Sequence, residues 1–163
     1  MKYDVTNIEN SSAMNAGGIC SFEFVPKEWL SNDVVLNIVQ NYVGTAITLI
    51  AGKQWLKAKC MQLTVGFSEQ QVSTSAGEKY NQQLVGIVNG DTLEINGLMN
   101  SLSYHEYVVI YTGRNGEKKI IGNKRKGMNF TSMLSTGVEY AAKNSYTIQF
   151  NSEAAERAPY YSI

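Results

Sequence analysis

The sequence predicts an all-β fold, an antiparallel β-sandwich or β-barrel with at most short helices. A strong β-hairpin signal lies between Tyr107 and Gly122, and short apolar segments recur along the chain between Gly and Asn turns. Fourteen Gly against two Pro favour many turns and bulges. Short strands at such spacing are typical of sandwiches and barrels.

The hairpin is the strongest of these signals. Residues 107–112 are β-branched or aromatic, which suits a pleated, half-buried surface. Asn115-Gly116 then supplies the backbone angles that a tight turn needs, and Lys118–Gly122 follows as the return strand. Side chains alternate between the faces of a strand, and both faces are apolar here. The pattern therefore predicts a central strand rather than an edge strand.

Other segments show strand character of different quality. Met61–Ser68 has the cleanest alternation and predicts an inward face made of Met61, Leu63, Val65 and Phe67. Pro26 ends the first strand because it cannot donate to the ladder, and one helical turn follows. Trp29 in that turn is either a lid on the core or a ligand platform. In chain order, strands are predicted at 19–25, 34–39, 45–50, 54–60, 61–68, 80–88, 128–133 and 145–150.

The connections predict one domain with polar extensions. At 163 residues, the chain fits a single β domain at 1–163, with a flexible N-terminal arm at about 1–18 and a C-terminal tail at about 151–163. The polar stretch 68–79 is either a long connection or weakly paired strand ends reaching out from the body. The stretch 92–103 is either a short helix or a turn-rich crossover that covers one sheet edge.

The charge balance argues against a global electrostatic function. Fourteen basic residues balance fourteen acidic ones, so no overall field favours nucleic acid or a membrane. Charged residues make up only 17% of the chain, and ten Tyr with many amides replace them. Such a composition suits wet, polar interfaces. Cys20 and Cys60 are predicted to be buried free thiols in a reducing compartment.

The catalytic motifs that can be read from a sequence are missing. His105 is the single histidine, which excludes multi-His metal sites. The nearest carboxylate cluster is Asp91, Glu94 and Glu106, and nothing in the sequence fixes its geometry. The prediction is a protein that is not an enzyme, without a catalytic residue, a metal or a cofactor.

Two segments are predicted to form interfaces. Lys124, Arg125 and Lys126 follow the hairpin, with Arg114 at its tip and Lys118 and Lys119 between them. This basic group is a solvated loop, an ion-pairing site for acidic groups of a neighbouring subunit, or a non-specific contact with DNA phosphates. Pro159, Tyr160 and Tyr161 lie beyond the last core strand and are predicted to dock on a neighbouring subunit.

The C-terminal half resembles a known class of protein. The segments that carry the likeness are Gly86–Asp91, Tyr107–Tyr111, Arg114–Gly116, Ile120–Gly122, Ser135–Gly137, Asn144–Phe150 and Ala158–Tyr161. They resemble virion structural proteins of tailed phages, particularly small neck and tail proteins of phages from gut Bacteroides-type bacteria. The resemblance implies a β-sandwich or β-barrel subunit without catalytic residues. It also implies a homo-oligomeric ring in the virion, assembled in the bacterial cytoplasm with other virion proteins, with packaged DNA as a further contact.

A binding module is the competing interpretation. A β-sandwich that recognises a glycan or a protein partner would present exposed aromatic rings. The candidates are Trp29, Trp55, Tyr80, Tyr160 and Tyr161. A glycan site would need two or three of these rings exposed and coplanar on one surface.

Overall fold

The computed structural model describes residues 17–37, 40–139 and 142–162. Strands dominate it, with one α-helix and one 3-10 turn at Lys27–Trp29. In chain order the elements are β1 (Ile19–Pro26), β2 (Tyr42–Val43), β3 (Leu56–Lys57), β4 (Gly66–Thr74), β5 (Gly77–Asn89), α1 (Leu93–Leu102), β6 (Glu106–Gly113), β7 (Lys118–Ile121), β8 (Met128–Ser135), β9 (Ser145–Ala154) and β10 (Tyr160–Tyr161).

All ten strands belong to one strongly curled sheet that forms a half-barrel. Its main order is β2-β10-β7-β6-β8-β9-β5-β4, with β1 also paired to β6 and β3 paired to β1. The all-β prediction is confirmed. The pairs are antiparallel except for β10 and β2, which run parallel, so the sheet is mixed rather than purely antiparallel.

The predicted hairpin is confirmed as the centre of this sheet. Strand β6 pairs with β1 on one side and with β7 and β8 on the other. The turn is closed by the Gly113 N–H, which donates to the Glu117 carbonyl at 2.8 Å. Gly116 has a φ of +85°, the left-handed conformation that glycine adopts without strain.

Two apolar clusters form because both faces of β6 are apolar. The larger cluster lies inside the curl, where the Phe150 ring meets Phe22, Phe24 and Tyr107 at centroid distances of 5.4–5.8 Å. The smaller cluster lies on the opposite face of β6, where Val108 is fully buried. Burial on both faces is what makes β6 a central strand.

The segment that covers the smaller cluster is largely irregular. The strand predicted at 54–60 is confirmed only as the short β3. The strands predicted at 34–39 and 45–50 are wrong for the described residues, which form isolated bridges instead, Asn37 with Tyr42 and Leu49 with Leu30. The Asn32 side chain explains part of this, since it accepts from Thr48 N at 2.7 Å and donates to the Ala46 carbonyl at 2.9 Å. Residues 38 and 39 lie outside the described residues.

The strand predicted at 61–68 begins only at Gly66. Leu63, predicted to face inward, is 78% exposed and has a φ of +65°. The Thr64 hydroxyl donates to the Met61 carbonyl at 2.7 Å and accepts from Ile87 N at 3.2 Å. These side-chain bonds replace the ladder bonds that a strand would make.

The two ambiguous stretches are now assigned. Residues 68–79 are not a long loop but belong to the β4–β5 hairpin, paired as far as Thr74 and Gly77. Strand β9 pairs with β5 only from Tyr80 onward, so the hairpin end reaches beyond its neighbour. Residues 93–102 form α1, and the Thr92 hydroxyl caps the helix by accepting from Ile95 N.

The chain termini differ from the predicted arm and tail. Residues 1–16 of the N-terminal arm lie outside the described residues, while Gly18 accepts from Arg114 N at 3.2 Å. The tail does not begin at residue 151, because β9 continues to Ala154. Beyond it, β10 inserts between β7 and β2 of its own subunit.

Candidate assembly surface

Strand β8 has a long unpaired side. It pairs with β9 from Asn129 to Ser135, but with β6 only at Met128 and Asn129. Among the described strands, residues 130–135 therefore have one partner and one open edge. An open edge presents unpaired N–H and C=O groups to any other strand that approaches.

The composition of this edge is unusual for a strand that faces solvent. Residues 130–135 read Phe-Thr-Ser-Met-Leu-Ser, without a charge or a proline. Met133 is 62% exposed and Leu134 is 41% exposed. Uncharged β-formers without proline are the composition that promotes strand pairing between chains.

Two other edges differ from β8. Strand β3 is two residues long, and its Lys57 pairs with Glu23 at 3.3 Å; short edges and charges hinder pairing between chains. Strand β4 is nine residues long, and its one charge, Glu69, is bound within the subunit. Of these three edges, β8 is the one that exposes large apolar side chains.

The predicted interface residues of the tail are paired within their own sheet, and docking of the tail on a neighbouring subunit stays a prediction. The Pro159 carbonyl accepts from Ile120 N at 3.1 Å, and Tyr160 N donates to Asn41 O at 3.0 Å. The Tyr161 hydroxyl accepts from Ile47 N at 3.2 Å. The Pro159 carbonyl, the Tyr160 N–H and the Tyr161 hydroxyl are therefore hydrogen-bonded within the subunit. Only Tyr160 keeps a sizeable exposed fraction, 42%.

A carboxylate that the sequence did not single out fastens the tail to the sheet. One oxygen of Glu69 accepts from Ala158 N at 2.7 Å and from Gln82 Nε2 at 2.9 Å. Its other oxygen accepts from Arg157 Nη1 at 3.3 Å, and the Arg157 guanidinium lies over the Tyr80 ring. The Glu69 side chain is only 10% exposed. In the sequence it stands in a Ser- and Gln-rich stretch, where nothing marks it as buried.

The basic residues do not form one patch. Arg114 lies in the turn after β6, whereas Lys124, Arg125 and Lys126 lie at the opposite end of β7, as hairpin geometry predicted. The second group is held by its backbone, because the Asn123 side chain accepts from Arg125 N and Lys126 N at 2.9 Å. All three side chains are exposed.

The three carboxylates considered as a cluster are separated by their partners. Glu106 forms an ion pair with Lys27, whose hydrogen bond lowers the pKa of the Glu106 carboxyl. Asp91 accepts from the Tyr146 hydroxyl at 3.2 Å, and Glu94 lies in the first turn of α1. His105 is exposed, with its ring edge against Tyr107. No group of three or more potential metal-ligating side chains occurs within the described ranges.

Three of the five aromatic candidates pack against the smaller apolar cluster. They are Trp29, Trp55 and Tyr161, and this packing supports the lid interpretation of Trp29. Tyr80 lies against Arg157, and Tyr160 lies under the Lys119 ammonium at 4.7 Å. No ring contact joins any two of the five in the part of the chain that the structure describes.

Both cysteines are free thiols, but burial differs from the prediction. Cys60 is half-buried beside the core, and burial raises the pKa of its thiol. Cys20 is exposed because a β-bulge between Ile19 and Ser21 breaks the alternation of β1, so that Ile19 joins Phe22 and Phe24 in the core and Cys20 does not. The prediction of a buried thiol is therefore wrong for Cys20.

Comparison of the chain with protein-family models, with curated proteins and with solved structures gives no match. Within the described residues, no helix is both long enough and apolar enough to cross a membrane. A functional assignment therefore depends on the surfaces of the fold and on the sequence patterns that it carries.

Proposed function

We propose that this protein is a non-enzymatic structural subunit of a phage virion, which self-assembles into a ring or tube in the neck or tail. The observation that carries the proposal is the open, uncharged edge of β8 with Met133 and Leu134 exposed beside it. Strand addition at this edge would satisfy its backbone groups and remove both side chains from water.

The sequence resemblance supports the same class. The quoted segments of the likeness lie on parts of β5, β6, β7, β9 and β10, all of which belong to the curled sheet. A subunit of this class would assemble in the host cytoplasm and contact other virion proteins. In such a subunit, the exposed loop 124–126 would contact acidic groups of a neighbouring subunit or the packaged DNA.

Replacing Met133 with Lys tests the proposal. Met133 is 62% exposed, so a Lys at this position leaves the core intact while placing a charge on the pairing edge. We expect wild-type protein at micromolar concentration to form discrete rings or tubes in negative-stain electron microscopy. We expect the M133K variant to sediment as a folded monomer.

Val35→Lys is the matched control. Val35 is 64% exposed and belongs to no strand, so V35K should assemble as the wild type does. A wild-type chain that stays monomeric at every concentration would contradict the proposal. Equal assembly of M133K and V35K would show that β8 is not the contact.

A further inference from the structure

A polar groove lies on the outer face of the sheet across β4, β5, β9 and β8. In the register of these strands, Leu84, Phe150 and Phe130 face the core. Their neighbours on the same strands face outward because side chains alternate. These outward residues line a groove of about 560 Å³, within the range of small-molecule sites.

The groove is lined mainly by side-chain amides. Gln83, Asn151 and Asn129 occupy paired positions on three adjacent strands. Gln70 and Asn81 form a second cross-strand pair beside them. Pockets for small molecules are usually apolar, with only a few polar groups. A lining dominated by amides therefore selects a polar ligand.

Much of the hydrogen-bonding capacity of these amides is unused. Gln83 Nε2 donates to Gln149 and to Asn151, which leaves the Gln83 carbonyl oxygen available. Gln70 and Asn129 make no side-chain hydrogen bond within the described residues. The Asn81 Oδ1 atom is buried and has no hydrogen-bond partner among the described residues, which is unfavourable for a polar atom.

The charged residues that line the groove limit the class of ligand that it can bind. Lys126 and Glu153 both line it, so it offers one cation and one anion. Glu153 is held by Lys79 at 3.0 Å. A phosphate would meet the Glu153 carboxylate, and a peptide strand would find its backbone partners at an edge rather than across a face. Hydroxyl groups both donate and accept, which matches amides and both charged groups.

We propose that this outward groove binds a short neutral oligosaccharide through Gln70, Asn81, Gln83, Asn129 and Asn151. This inference is independent of pairing at the edge of β8, because it involves the face of the sheet; the groove shares only Lys126 with the loop 124–126 of the assembly proposal. It also differs from a glycan platform of aromatic rings, since the recognition groups are amides.

Calorimetric titration of the full-length protein tests the inference. The probes are maltotetraose, cellotetraose and chitotetraose, with inorganic phosphate and a short Gly-Ser peptide as alternatives. The variant is Q70A/N129A, because neither side chain makes an internal hydrogen bond and the fold should be retained. Gln62→Ala, an exposed amide outside the groove, is the matched control.

We expect at least one tetrasaccharide to bind the wild type and Q62A equally. The Q70A/N129A variant should bind at least about tenfold more weakly, as expected when two hydrogen bonds are lost. The inference is overturned if none of the three sugars binds at millimolar concentration, or if Q70A/N129A binds them as tightly as the wild type. Binding of phosphate or the peptide alone, sensitive to the same variant, would also overturn the sugar assignment.

Discussion

Replacing Glu69 with Ala should loosen the tail from the sheet and destabilise the subunit. The Glu69 carboxylate receives three donors, from Ala158 N, Gln82 Nε2 and Arg157 Nη1. Ala158 is 1% exposed and Gln82 is 4% exposed, so their N–H groups would lose a partner in a place that water reaches poorly. The tail segment that forms β10 follows directly after Ala158.

The magnitude follows from the burial of each partner. A hydrogen bond to a charged group contributes about 1.5–3 kcal/mol when it is shielded from solvent. The Arg157 side chain is 51% exposed, so its pair contributes at most about 1 kcal/mol. The two shielded bonds dominate, and E69A should lower the free energy of unfolding by about 3 kcal/mol. That is a large fraction of the roughly 5–15 kcal/mol typical of a domain.

Urea unfolding followed by tryptophan fluorescence measures this change. Glu78→Ala is the matched control, since Glu78 lies on the same β4–β5 hairpin, is exposed, and makes no ion pair in the described part of the chain. E78A should stay within about 0.5 kcal/mol of the wild type. An E69A variant that unfolds at the same urea concentration as E78A would refute the anchoring role of Glu69.

Three further predictions concern the core, the tail and the basic loop. Val109→Asp should prevent folding, because Val109 is fully buried and the charge would have no partner; soluble, native-like protein by circular dichroism would contradict this. Deleting residues 158–163 should destabilise the monomer itself, since β10 pairs on both sides within the subunit; an unchanged melting temperature would contradict that pairing. Replacing residues 124–126 with Ser should leave the melting temperature unchanged but weaken assembly most at low salt, where screening is least; assembly that is equal to wild type at every salt concentration would exclude a role for this loop.

The parts of the fold that the sequence predicts well are those where local pattern and burial agree. The β6–β7 hairpin has apolar residues on both faces, which indicates a central strand. It also has Asn115-Gly116 between its strands, which indicates a tight turn. The strand at 145–150 was predicted by alternation and is extended in the structure to Ala154. In both cases strand neighbours bury the side chains that the pattern marks as apolar.

The mispredicted parts are those where side chains hydrogen-bond to the backbone, or where pairing between residues distant in sequence determines the position of a strand. Leu63 fits an inward strand position, but Thr64 bonds locally and turns the chain outward. Strand β10 lies between β7 and β2, and the residue two positions before it, Ala158, is bound by Glu69, which is far away in sequence. Neither the open edge of β8 nor the outer amide groove could be predicted. Both depend on which strands are adjacent in the sheet, and the sequence does not show the strand order.

Amide hydrogen exchange of residues 130–135 tests the assembly proposal most directly. In the wild-type assembly, pairing with a second subunit should protect the amides on the open side of β8. In the M133K monomer the same amides should exchange rapidly, while those of β6 stay protected in both. Equal, rapid exchange of the open-side amides of residues 130–135 in the assembled wild type and in the M133K monomer would contradict pairing at this edge.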